Sequence, residues 1–176
     1  MKKDLISVPY KQFSTNIFRL WEDQWFLLTS GDFKSGDYNT MTVAWGSLGI
    51  MWSVPFAQAV VRPTRHTFGF MNKYSDFTLC AFSEKYQKDL SWLGSHSGRD
   101  GDKLAKTSLT PCASDKVISP SFEEAELIIE CQKMYEQDMN PSKFLHEFIH
   151  TKYKENDYHR IYFGKIVNIL VANSEF

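Results

Sequence analysis

Short runs of β-branched, aromatic and other apolar residues, each ended by a turn signal, recur along most of the chain. That punctuation limits the fold more than any other feature. Residues 25–30 stop at Gly31, and residues 32–38, with Gly36-Asp37, read as a hairpin-type turn. Residues 40–45 form the next predicted strand, and 57–61 a third that stops at Pro63. Residues 77–82, 126–134 and 160–171 complete a set of six. Helical periodicity is short. Thr64 is the expected cap of a helix over 65–73, with Phe68 and Met71 on one face. Residues 86–93 and 102–107 are further short helices. Residues 142–153 form another, with Phe144, Leu145, Phe148 and Ile149 aligned. Strands do not alternate with helices, which favours a barrel over a doubly wound parallel sheet. No linker is visible, residues 111–120 read as a loop, and residues 1–176 are expected to form one domain.

Composition narrows the function. The chain is 43% hydrophobic and 23% charged, as globular proteins are. Its 20 basic and 21 acidic residues give no global field for nucleic acid or an anionic membrane. Aromatic residues make up 15%, enough to line a site for a planar ligand as well as fill a core. Cys80, Cys112 and Cys131 are odd in number and widely spaced, so neither a disulfide framework nor a zinc ribbon is expected. The two opening lysines are not followed by an apolar run, and no stretch of about 18 apolar residues occurs. The expectation is a soluble cytoplasmic protein.

Four motifs carry candidate chemistry. In Asn39-Thr40-Met41-Thr42-Val43-Ala44-Trp45-Gly46, alternation sets Thr40, Thr42 and Ala44 on one face and Met41, Val43 and Trp45 on the other. The plain alternative is an edge strand with solvent-facing threonines. Arg62-Pro63-Thr64-Arg65-His66-Thr67 places two guanidiniums and two hydroxyls where a strand gives way to a helix N-terminus, a combination suited to phosphate. A solvated turn is the alternative, but adjacent arginines repel unless an anion lies between them. Gly94-Ser95-His96-Ser97-Gly98-Arg99-Asp100-Gly101-Asp102-Lys103 offers close backbone approach and positive charge, and matches neither a Rossmann nor a P-loop fingerprint. It competes with a plain surface loop. His146-Glu147-Phe148-Ile149-His150 fits the two-histidine zinc motif, but Tyr153 and Asn156 stand where further ligand-motif residues belong, and Glu175 follows a core strand. The polar face of an amphipathic helix is the better reading, and no metal is expected.

The first three motifs, in this order, resemble those of the flavin reductase-like family, and its flavoredoxin-type branch in particular. Phe77-Thr78-Leu79 and Tyr158-His159-Arg160-Ile161-Tyr162-Phe163-Gly164 add to the resemblance, which spans residues 25–171. It implies a Greek-key split β-barrel, mainly β with short peripheral helices, that pairs as a homodimer and binds FMN. By the resemblance the FMN phosphate lies against Arg62, Pro63, Thr64, Arg65 and Thr67. The strand with Asn39, Thr40, Met41, Thr42, Ala44 and Trp45 runs beside the ring and ribityl chain, mainly through backbone groups and Thr42. Ser97, Gly98, Arg99 and Lys103 close the pocket. His159 is the implied catalytic residue, placing nicotinamide or stabilising reduced flavin. The implied activity is an NAD(P)H-dependent flavin reductase or an electron-transfer flavoprotein serving a redox protein, with NAD(P)H as transient reductant. A non-catalytic FMN-binding module is the main alternative and a zinc hydrolase a remote one.

Overall fold

A computed structural model describes residues 4–172. Ten strands form its framework: β1 (Leu5–Ser7), β2 (Phe26–Asp32), β3 (Asp37–Val43), β4 (Gly46–Met51), β5 (Val54–Val61), β6 (Asp76–Ala81), β7 (Pro111–Cys112), β8 (Ser121–Phe122), β9 (Leu127–Asp138) and β10 (Arg160–Ala172). Seven run in the order β3-β2-β6-β9-β10-β5-β4, β1 pairs with the end of β10, and β7-β8 form a separate ribbon. Every pairing is antiparallel. The sheet curls until its two ends share one interior: Met41 and Val43 of β3 pack in the same cluster as Ala57, Ala59 and Val61 of β5. β3 and β4 are not hydrogen-bonded to each other, so the barrel is split along that seam.

Alternation along the central strands feeds two cores. Phe26, Leu28, Leu79 and Ile129 point into the barrel. Leu27, Cys80 and Ile128 face outward, under a layer that includes Leu90, Leu93 and Phe122. Strands covered on both faces become continuous apolar runs, which is why they are conspicuous in the sequence.

The helices are few: α1 (Ile17–Arg19), α2 (His66–Lys73), α3 (Gln87–Ser95) and the single turn α4 (Glu147–His150). Several expectations need correction. The cap position of α2 is Arg65 rather than Thr64, and no side chain caps it. Residues 102–107 contain only a 3-10 turn, Leu104–Lys106. Residues 142–153 do not form a helix; a 3-10 turn at Pro141–Lys143 and α4 are all that is regular there. Local aromatic packing replaces the amphipathic face, with Phe144 stacked on Tyr153 while Leu145 and Phe148 stay exposed. β1, β4, β7 and β8 escape the sequence reading altogether, β7 opening the stretch 111–120 that reads as a loop. β4 turns into β5 through Trp52 and Ser53, both with positive φ (51° and 60°), a turn usually signalled by Asn-Gly.

Candidate functional site

Two adjoining cavities meet at Met41 of β3. The first, about 120 Å³, lies between the N-terminus of α2 and the C-terminal end of α3. Arg65, Arg99 and Lys103 line it with Asn39, Thr64 and Thr67, and no carboxylate does. The sequence explains how the cations converge. Lys103 is 7% exposed; its Nζ donates to the carbonyls of Leu93 (2.9 Å) and His96 (3.1 Å), and Arg65 donates to that of Gly94. These carbonyls end α3, where the helix dipole favours positive charge. Arg99 Nη1 donates to the Thr64 carbonyl at 3.0 Å, and Ser97 accepts from the Arg99 backbone N–H. Burial, then the neighbouring Arg65 charge, pulls the Lys103 ammonium down to about 8. Burial, then Arg62, lowers the Arg65 pKa, and His66 is lowered by burial, Arg99 and Lys103. Positive charge is thus gathered and partly dehydrated with no described acid lining the cavity, a fit to a phosphate beside an uncapped helix start.

Gly98 forms part of the wall. A Cβ there would overlap Asn39 Oδ1 and sit 3.0 Å from the His66 ring. Asn39 is fixed by donating to Thr67 Oγ1 at 2.7 Å. A further space of about 280 Å³ continues past Asn39, His66, Gly98 and Lys103 toward Tyr38 and Asp102.

The second cavity, about 160 Å³, is an open groove lined by residues 41–45 together with Val60, Arg62 and His159. Trp45 is 46% exposed and its ring lies 5.2 Å from that of His159. A planar ring held in this groove and a phosphate in the first cavity would sit at the two ends of Met41.

Not every expected residue reaches these cavities in the expected role. Arg62 does not line the phosphate-sized cavity. Its Nη1 contacts both Asp157 carboxylate oxygens at 2.9 Å and its Nη2 the Lys152 carbonyl at 2.9 Å, so the chain supplies its own anion for that guanidinium. Pro63 lies in the exposed turn before α2 and lines neither cavity. The threonine hydroxyls of β3 are committed internally: Thr40 donates to the Leu28 carbonyl (3.1 Å) and Thr42 to that of Leu90 (2.5 Å). Thr42 therefore offers a ligand its backbone and methyl group. His159 is 8% exposed and its Nδ1 lies 2.8 Å from the Tyr153 hydroxyl. Burial and the Arg62 charge hold its pKa down to about 4 against the pull of Asp157, so the ring is neutral at pH 7 and supplies no positive charge. Asp157 and Tyr153 were invisible as site residues in the sequence.

His159 also makes an acid-sensitive element. An unfolded histidine titrates near 6.5 and the folded one near 4. The unfolded chain binds more protons between those values, so stability falls as pH drops through that window, by about 3 kcal/mol at pH 4. Urea unfolding at pH 7 and pH 4 should show this extra loss in the wild type and not in His159→Gln; equal losses would contradict the burial argument.

The remaining motif also resolves into structure. His146 precedes α4 in extended conformation (φ -127°), so it does not share a helical face with His150. Among the described residues no group of three metal-type ligands occurs; Glu175 lies outside them. A larger cavity of about 350 Å³ near Asp4, Asp115 and Glu130 is acidic, and the Glu130 carboxylate is already held by the backbone N–H groups of Asp115 and Lys116 at 2.8 Å.

The chain is a mainly β protein whose large antiparallel sheet, with few short helices, closes into a split barrel. The chain belongs to the family of the flavin reductase like domain, whose model matches residues 22–176. A flavin reductases-like FMN-binding domain from Shewanella baltica superimposes with a TM-score of 0.70 at 15% identity, covering 100% of this chain and 81% of that one. Flavoredoxin of Desulfovibrio vulgaris gives a TM-score of 0.67 at 20% identity, with 95% and 78% covered. An NADH:FAD oxidoreductase of Streptomyces globisporus, solved with NAD and FAD fragments, gives 0.62 at 14% identity, with 83% and 73% covered. At these identities the likenesses establish the fold.

Proposed function

We propose that the protein binds FMN and works as a flavin oxidoreductase reduced by NAD(P)H, passing electrons to free flavin or to a redox protein. The observation that carries this reading is the cavity lined by Arg65, Arg99 and Lys103 without a carboxylate, one residue away from an aromatic groove. When bound, FMN supplies a two-electron carrier that takes up hydride at its ring N5. The residues of the chain do the rest. Arg65, Lys103 and the α2 N-terminus hold the phosphate by charge and N–H donors. Met41, Ala44 and Trp45 give the ring an apolar bed, and neutral His159 borders it as a hydrogen-bonding group. No dinucleotide fingerprint is present, which favours transient stacking of nicotinamide on an exposed ring face.

The reading extends to a one-domain cytoplasmic protein that pairs with a second copy. Ile50, Met51 and Trp52 of the β4–β5 hairpin are exposed beside Tyr135 and Phe163, an apolar surface of the kind that pairs. Among the described residues no helix is long and apolar enough to cross a membrane.

The test is a visible spectrum of freshly purified protein run by size exclusion, followed by anaerobic NAD(P)H. The expected result is a dimer-sized species that binds FMN and bleaches on NADH or NADPH addition. Rapid NAD(P)H oxidation with added free flavin identifies a reductase. Bleaching with turnover only in the presence of a redox protein identifies an electron-transfer protein. FMN binding with no bleaching would leave only a binding module.

A further inference from the structure

The connection between β9 and β10 buries a tyrosine that the flavin reading does not use. Tyr153 is 5% exposed and is held on several sides. Phe144 stacks on it with centroids 6.0 Å apart, the Arg62 guanidinium lies 5.1 Å from its centroid, and the His159 ring meets it edge-on at 5.5 Å. Its hydroxyl has two neighbours, His159 Nδ1 at 2.8 Å and Met139 Sδ at 3.4 Å. A phenol has one proton to donate, and an imidazole nitrogen is a much better acceptor than a thioether. The Tyr153 hydroxyl stays protonated because burial raises its pKa, and His159 stays neutral for the reason given above. A neutral imidazole that accepts at Nδ1 carries its hydrogen on Nε2. Nε2 has no hydrogen-bond partner among the described residues, and His159 lines the Trp45 groove.

We propose that Tyr153 is a positioning residue that fixes His159 as the Nε2–H tautomer, leaving one neutral donor for a carbonyl-type acceptor on a planar ligand in the groove. The ligand half rests on the flavin reading; the tautomer half does not. The Arg62–Asp157 pair belongs to the same assembly, since Asp157 anchors the guanidinium that covers the Tyr153 ring.

Nitrogen-15 NMR of the imidazoles in the full-length, ligand-free protein decides the tautomer, with His159 assigned by the signal lost in His159→Gln. The expected wild-type spectrum shows the His159 hydrogen on Nε2. In Tyr153→Phe, which keeps the stacking ring, the two nitrogen shifts should move toward each other as tautomers exchange. A wild-type hydrogen on Nδ1, or a Tyr153→Phe spectrum identical to wild type, overturns the proposal. If that variant does not fold, the wild-type spectrum alone still decides. FMN is then titrated while its fluorescence is followed. Quenching accompanied by a shift at Nε2 supports the donor role, and quenching with Nε2 unmoved overturns it. Absence of quenching removes the flavin reading and the ligand role with it, while the ligand-free spectra still judge the tautomer.

Discussion

Arg65→Ala weakens FMN binding by about 1.5–3 kcal/mol, roughly ten- to a hundredfold in Kd, the cost of losing a hydrogen bond between charged groups. The size follows from the surroundings of Arg65. Its guanidinium is half-buried, among the described residues its only side-chain hydrogen bond goes to the Gly94 carbonyl, and no described carboxylate lines the cavity. Arg62→Ala is expected to cost less, because Arg62 is paired with Asp157 on the groove side. Fluorescence titration of both variants measures the difference, with thermal unfolding as the control for the lost anchor on α3. A larger effect at Arg62 than at Arg65 would place the phosphate elsewhere.

The second large effect concerns the barrel. Gly164 sits at a register shift in β10, opposite β9. A Cβ there would lie 2.6 Å from two Phe77 ring carbons and 2.7 Å from Cys131 Cβ. Both neighbours are fully buried, so neither has room to move. Gly164→Ala should therefore cost about 3 kcal/mol, the upper end for overpacking a core. Gly69, on α2, has nothing within 4 Å of its added Cβ, and Gly69→Ala should stabilise by up to about 1 kcal/mol. Urea unfolding of the pair is the check. A Gly164→Ala protein as stable as wild type would mean that β10 and β6 are not in contact as described.

Legibility in the sequence followed burial. β2, β6, β9 and β10 were readable within a few residues because the barrel covers one face and an outer layer the other, leaving continuous apolar runs. β4 was hidden because its residues are largely exposed and its turn uses Trp52-Ser53 in place of a glycine signal. The apolar spacing in residues 142–153 suggested a helix, but with no core to pack on, Phe144 and Tyr153 stack on each other instead.

The candidate site divides the same way. Arg65 stood out at the predicted strand-to-helix corner, and Arg99 and Lys103 in the glycine-containing loop, and the fold brings the three together. The commitment of Arg62 to Asp157 could not be read, since the partners lie 95 residues apart. Thr42 looked like a ligand residue only while the Leu90 carbonyl of α3 was out of view. His159 was found through the resemblance of residues 158–164 to the flavin reductase-like family, but its charge state depends on burial that the sequence does not display.

Calorimetric titration of the wild-type protein with FMN and with riboflavin, which lacks the phosphate, addresses the central claim most directly. A phosphate held by Arg65, Lys103 and the start of α2 predicts FMN binding at least about tenfold tighter than riboflavin. Equal affinities for the two would contradict it.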